Sequence, residues 1–136
     1  MPQPINPPPQ ETKRGGPARL IRSFTFAFSG LWFMLRTQRN ARIEVAIGIA
    51  ACGMGAWLGI SPTQWAVLVL TIALVLILEG LNTSIEAAVD LASPQQHLLA
   101  KAAKDLAAGM VLVAAIAAIA IGLLIFGPLL LNKLLR

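Results

Sequence analysis

The stretch Trp65–Leu78 runs for 14 residues without a charge and then meets Glu79. An α-helix needs about 20 residues to cross the hydrocarbon core of a bilayer. A spanning helix that begins near Thr63 must therefore continue past Glu79, which sets a carboxylate at membrane depth close to one boundary. Two further apolar stretches, 43–60 and 106–126, flank it. Charged residues make up 12% of the chain and hydrophobic residues 57%, whereas soluble domains carry about 25% charged residues. Such a chain cannot cover its own surface with polar groups, so its solvent is lipid.

Residues 1–17 hold six of the nine prolines together with Gln3, Gln10, Glu11, Lys13 and Arg14. With no apolar periodicity, this composition predicts a disordered Pro-rich tail. Residues 18–40 behave differently. Leu20, Phe24, Phe28, Leu31 and Leu35 recur at helical intervals, and at about 100° per residue they fall within about 80° of one another. Arg22, Ser29 and Arg36 lie opposite. A helix of this kind lies in the membrane interface instead of crossing it. Spans follow over about 43–60, 64–90 and 106–126, joined by Ser61-Pro62-Thr63 and by the polar loop 92–104, and Gly127-Pro128 marks the end of the last. The expected fold class is all-α integral membrane, with an N-terminal amphipathic interfacial helix plus three transmembrane helices in one domain over 18–136.

Seven basic residues precede the first span (Lys13, Arg14, Arg19, Arg22, Arg36, Arg39 and Arg42), none lies in the first loop, and Lys101 and Lys104 lie in the second. The positive-inside rule puts the N-terminus and second loop in the cytoplasm and the C-terminus outside, as in a multi-pass protein of the inner (cytoplasmic) membrane. The interfacial helix and the charged end of the second span then share the cytoplasmic face. The net charge of +5 is concentrated beside membrane segments, which suits anionic lipid headgroups rather than nucleic acid. Cys52 stands alone, which excludes an internal disulfide. No G-x-x-x-x-G-K-[ST] loop occurs, so a P-loop nucleotide site is excluded. Gly53, Gly55 and Gly59 read as close helix packing. Trp32, Trp57 and Trp65 read as interface anchors.

Of six carboxylates, four fall between Glu79 and Asp105. Glu79, Asn82, Glu86 and Asp90 stand at offsets of 0, 3, 7 and 11, within about 80° on a helix. One helix face thus presents acid, amide, acid, acid. Ionisable groups at membrane depth are expensive and mark function by default. Phosphoryl transfer needs a base for the attacking hydroxyl, carboxylates for Mg²⁺ and a cation near the phosphates. Glu79, the deepest acid, sits where a lipid hydroxyl would lie and suits a general base. Glu86, nearer the water, suits a nucleotide-bound Mg²⁺, and Lys104 suits phosphate. The same stripe would also serve helix–helix pairing, or a small transporter with Glu79 as proton carrier. His97 reads as a solvated loop residue within reach of a nucleotide.

The run Glu79-Gly80-Leu81-Asn82-Thr83-Ser84-Ile85-Glu86-Ala87-Ala88-Val89-Asp90 resembles the E-x-x-N-x-x-I-E-x-x-x-D signature of the prokaryotic diacylglycerol kinase family. Lys101-Ala102-Ala103-Lys104-Asp105 resembles its second block, and Arg39-Asn40-Ala41-Arg42-Ile43 the R-N-x-R-I that precedes the first span in its undecaprenol kinase branch. The resemblance covers about residues 19–126. It implies a homotrimer with composite sites, ATP as cosubstrate and Mg²⁺ as cofactor. It also implies Glu79 as catalytic base, Glu86 as metal ligand, and Asn82, Asp90, Lys104 and Asp105 lining the nucleotide site, with looser nucleotide contacts from Arg19, Gln96 and His97. The family pattern has a glutamate metal ligand where this chain has Gln38. An amide oxygen can coordinate but carries no charge, and Mg²⁺ favours carboxylate and phosphate oxygens.

The expected function is ATP-dependent phosphorylation of a membrane lipid alcohol, undecaprenol or diacylglycerol, at the cytoplasmic face. The alternatives are a catalytically impaired relative, kept open by Gln38, and a proton-coupled transporter.

Overall fold

The computed structural model describes residues 17–93 and 97–135. Residues 1–16 of the expected tail and Gln96 lie outside them. The described residues form four helices and no strand: α1 Pro17–Thr37, α2 Arg39–Leu58, α3 Pro62–Ala92 and α4 Leu98–Leu134. They divide into two compact units, one ending at Phe33 and one beginning at Met34.

The first unit is the body of α1. Ser23 and Thr25 donate their hydroxyls to the carbonyls of Arg19 and Ile21, at 2.9 and 3.0 Å. Both polar side chains are thereby absorbed by the helix itself. Leu20, Phe24, Phe28 and Leu31 are all exposed. Around the side, the Arg22 guanidinium lies 5.6 Å from the centroid of the Phe26 ring. A row of large exposed apolar side chains with arginines behind it is the profile of a helix that rests on a membrane.

The second unit is a three-helix bundle. The last turn of α1 ends where Gln38 adopts an extended conformation (φ −98°, ψ 119°) and donates its N–H to the Met34 carbonyl at 2.8 Å. α2 ends at Gly59, whose φ of 65° is the one positive value among the described residues. That left-handed turn, which glycine adopts without a Cβ clash, lets the N–H groups of Gly59 and Ile60 both reach the Gly55 carbonyl. Three residues later α3 is already under way. Ser61 and Gln64 form a capping box, with Ser61 Oγ accepting from the Gln64 N–H at 3.3 Å and Gln64 Oε1 from the Ser61 N–H at 2.9 Å, and Pro62 opens the first turn. The tight link between the first two spans is thus written in five residues.

α2, α3 and α4 are each long and apolar enough to cross a membrane. At 1.5 Å per residue α3 and α4 reach about 46 and 55 Å, well beyond the roughly 30 Å of hydrocarbon. Gly127-Pro128 does not stop α4. The helix carries Pro128 inside it and runs on to Leu134. Proline is tolerated within membrane helices because neighbouring groups re-satisfy the freed carbonyl. The extension brings the Lys133 ammonium to 3.9 Å from the centroid of the Trp57 ring, tying the ends of α2 and α4 together.

α2 buries a seven-residue series of small side chains, Ala41, Gly48 and Gly55. Small residues let helix backbones approach closely where no hydrophobic force drives them together. A Cβ on Gly48 would stand 3.1 Å from Ile72 Cγ2 on α3. At the Ser61 end, Ile60, Leu68 and Ile125 form a buried apolar cluster, with Trp65, Phe126 and Leu129 against it. Outward-facing Ile49, Leu70, Leu123 and Leu124 are 68–75% exposed, as lipid contact requires. The fold is an all-α membrane bundle, plugged with hydrocarbon at one end and carrying its acids at the other.

Candidate active site

Glu79 lies 17 residues into α3, about 26 Å from its start, a distance to be compared with roughly 30 Å of bilayer hydrocarbon. Its side chain is 2% exposed, and it is the bulkiest fully buried residue described. Its Oε2 has no hydrogen-bond partner. The next turns emerge by degrees. Asn82 and Glu86 are half-buried and Asp90 is exposed. The Asn82 amide donates to Glu86 Oε1 at 3.4 Å, which leaves Asn82 Oδ1 buried and unpartnered. Thr83, also buried, returns its hydroxyl to the Glu79 carbonyl at 2.9 Å. The stripe therefore grades from a dry carboxylate to a wet one along a single helix face.

α4 faces that gradient with its first turns. His97 caps the helix by accepting the Leu99 N–H on Nδ1 at 3.2 Å, and its side chain is exposed. The Lys104 ammonium donates to Asp90 Oδ1 at 2.8 Å, bridging α3 and α4 across the loop. Glu86 is near enough for its charge to act on Lys104 as well. Lys101 and Asp105 pair with each other one turn apart, both exposed. Within the bundle the fold thus gathers Glu79, Asn82, Glu86, Asp90 and Lys104 at one end, with Asp105 engaged by Lys101 beside them. Arg19 belongs to the α1 unit and is exposed there. Gln38 occupies the N-cap of α2 without a side-chain cap bond.

Glu44 joins the site from α2. It is half-buried, its Oε2 has no partner, and its charge opposes that of Glu79. It also lines an open cavity of about 330 Å³ between α2, α3 and α4, whose walls include Ile47, Gly48, Leu68, Val75 and Gly122. Glu44 is the one charged residue in that lining and Thr71 its one hydroxyl. From the sequence, Glu44 lies six residues after Gln38 and so on a different part of the helix, which argues against it as a substitute for the missing glutamate. That position carries no sign that it turns inward toward Glu79. Its charge, one acid among uncharged neighbours from Ile43 to Leu78, is the signal that could have found it.

No group of three His, Cys, Asp or Glu side chains comes together as a metal cage among the described residues. Magnesium seldom uses such cages. It binds one or two protein oxygens and takes the rest from phosphates and water. Glu86 and the unpartnered Asn82 Oδ1 fit that smaller demand.

The bundle and its graded polar stripe define a small integral membrane protein whose polar chemistry is concentrated at one membrane boundary. The chain belongs to the prokaryotic diacylglycerol kinase family, whose profile matches residues 25–126. It is 48% identical over 117 residues to a diacylglycerol kinase of Synechocystis, covering 85% of this chain and 65% of the relative. It is 44% identical over 110 residues to an undecaprenol kinase of Bacillus subtilis, covering 81% and 89%. A diacylglycerol kinase of Escherichia coli is 31% identical over 104 residues, covering 76% and 85%. The chain thus spans slightly less than two thirds of the Synechocystis relative and most of the other two.

Proposed function

We propose that this protein is an ATP-dependent lipid kinase that phosphorylates the hydroxyl of a membrane alcohol at the cytoplasmic face of the inner membrane. The observation that carries the reading is the Glu79 carboxylate, nearly sealed from water with one oxygen free, at the depth where a lipid hydroxyl lies. Glu79 accepts the hydroxyl proton as the alcohol oxygen attacks the γ-phosphorus of ATP. The bond to the β-phosphate oxygen breaks and ADP leaves. A desolvated carboxylate is suited to that transfer because no water competes for its lone pair.

The wetter half of the stripe holds the nucleotide. Lys104 exchanges Asp90 for phosphate oxygens, and Asn82, Asp90 and Asp105 line the approach. Arg19, Gln96 and His97 belong to looser contacts. When bound, Mg²⁺ neutralises charge on the transferring phosphoryl group, and Glu86 with Asn82 Oδ1 would hold it. Gln38 would add at most a neutral oxygen.

The apolar cavity receives a hydrocarbon tail, with Glu44 at the polar end of its lining. Relatives named for two different lipids leave undecaprenol and diacylglycerol as the two substrates to compare. The broad exposed apolar faces of the bundle leave surface for assembly as the homotrimer that the family resemblance implies.

The test is transfer of label from γ-labelled ATP to lipid in mixed micelles with Mg²⁺, offering undecaprenol and diacylglycerol side by side. Label in one lipid establishes the reaction and its acceptor together. A folded protein that labels neither, with the metal varied, removes the kinase reading.

A further inference from the structure

The turn between α1 and α2 carries a charge pattern that the proposed reaction does not use. From Met34 to Ile43 the chain has Arg36, Arg39 and Arg42 and no acid. All three arginines are exposed. None is ion-paired with a described residue, since the pairs found there join Lys101 to Asp105 and Lys104 to Asp90. The next carboxylate in the sequence, Glu44, is turned into the bundle, where it lines the cavity. A site built this way repels cations and attracts anions.

The helical geometry says which anion. α2 buries Ala41, Gly48 and Gly55. At about 100° per residue that stripe lies roughly opposite Arg39, and Arg42 is about 60° from Arg39 on the outward side. Trp57, 18 residues beyond Arg39 and so on the same outward face, is 62% exposed. Between them Ile43, Ile47 and Ile49 are exposed. The separation from Arg39 to Trp57 is about 27 Å, close to the roughly 30 Å of bilayer hydrocarbon. Trp57 thus marks one interface and Arg39 with Arg42 the other, on the face that meets lipid, and Arg36 lies in the turn of α1 that leads into them.

We infer that Arg36, Arg39 and Arg42 form a binding site for the phosphodiester headgroup of an anionic phospholipid in the surrounding bilayer. Guanidinium groups at headgroup depth recognise phosphate oxygens through paired N–H donors. Basic residues next to a span draw anionic lipids to the surface. This site stands apart from the acid stripe on α3 and goes beyond the kinase reading.

The test measures retained lipid directly. The full chain is reconstituted in vesicles of phosphatidylcholine and phosphatidylglycerol at 4:1, extracted in mild detergent and passed through gel filtration. Mass spectrometry then counts both lipids per chain. The wild type should retain phosphatidylglycerol several-fold above its bulk share. Each single Arg→Gln substitution should remove only part of that enrichment, and the triple variant R36Q/R39Q/R42Q should return it to the bulk ratio. The triple Arg→Lys variant, which keeps the charge but loses the paired N–H donors, should keep only part of it. Bulk-ratio retention by the wild type overturns the inference, as does enrichment that survives the triple Gln variant. So does a triple variant that retains phosphatidylglycerol but binds ATP at least tenfold more weakly, because the cluster would then serve nucleotide phosphates. Since the readout is lipid mass, failure here leaves the kinase assay untouched, and failure of that assay leaves this one standing.

Discussion

Replacing Glu79 by Gln should make the protein more stable and leave it without turnover, and the opposite signs are the point of the experiment. Glutamine keeps the size and shape of the side chain, so the 2% exposed pocket is neither emptied nor overfilled. What changes is charge and proton affinity. In the wild type, folding buries a carboxylate whose Oε2 meets no donor, against the added repulsion of Glu44 and Glu86. The effective penalty for an uncompensated buried ion is several kcal/mol. A neutral amide with an unsatisfied group in the same place costs about 1–3 kcal/mol. The difference favours the variant by about 2 kcal/mol. Catalysis moves the other way. A positioned general base contributes roughly 10²- to 10⁴-fold, and an amide cannot accept the hydroxyl proton.

Two measurements on one preparation decide it. Reversible unfolding in mixed micelles titrated with a denaturing detergent should shift to higher denaturant for the variant. Label transfer from γ-labelled ATP should fall at least a hundredfold at saturating lipid and ATP. Turnover within tenfold of wild type would remove Glu79 as the base. A clear loss of stability would mean that the carboxylate is satisfied by something essential, and the account of Glu79 as a strained group held for chemistry would be wrong.

Other substitutions separate the cavity, the packing and the nucleotide end. A Cβ at Gly122 meets nothing within 4 Å, and the same holds for Gly53, which lies outside the cavity lining. Gly122→Leu should therefore raise the KM for the lipid alcohol at least tenfold with the KM for ATP unchanged, whereas Gly53→Leu should change neither in the same kinetic assay. Gly48→Ala sets a methyl 3.1 Å from Ile72 Cγ2. It should destabilise the bundle by about 1–3 kcal/mol in detergent unfolding, and the loss should shrink when measured in an Ile72→Ala background, which lacks Cγ2. Lys104→Met removes the ammonium that now holds Asp90 at 2.8 Å and should raise the KM for ATP at least tenfold while leaving the unfolding midpoint nearly unchanged, since exposed pairs contribute little to stability.

The sequence makes the three long apolar helices legible because nothing except lipid can solvate three such runs, and it makes the acid stripe legible because spacing on a helix fixes angle. Glu79, Asn82, Glu86 and Asp90 needed only the helical period to be put on one face. The graded burial along that face follows from depth, and depth follows from counting residues back to Ser61, whose cap fixes where α3 starts. The end of α4 was harder to read. Gly127-Pro128 looks like a stop by local rules, yet the helix continues, because the freed carbonyl at a membrane proline can be satisfied by neighbours that local sequence does not name. Lys133 reaches Trp57 only through that continuation.

Glu44 and Gln38 show where the helical period stops being enough. Glu44 is a single polar residue entering an apolar run and Gln38 lies within the polar run Thr37-Gln38-Arg39-Asn40, and an angle has meaning only relative to a face that is known to be buried. In α2 the buried face is drawn by Ala41, Gly48 and Gly55, residues chosen for being small and so nearly silent in any hydropathy pattern. Once that face is known, Glu44 falls about 40° from its centre while Arg39 and Arg42 point away. The acid then turns toward the chemistry of α3 and the arginines turn toward lipid. One short helix thereby separates its charges by sign, with the negative one drawn into the bundle beside Glu79 and the positive ones left at the headgroups. Gln38 stands at the junction, where an amide avoids placing a second carboxylate among the arginines. A negative charge there would pair with Arg39 or Arg42 and compete with phosphate for them. A neutral residue at position 38 favours the anion binding proposed for the arginine cluster, and Gln38→Glu should weaken phosphatidylglycerol retention in the same extraction assay, whatever it does to metal binding.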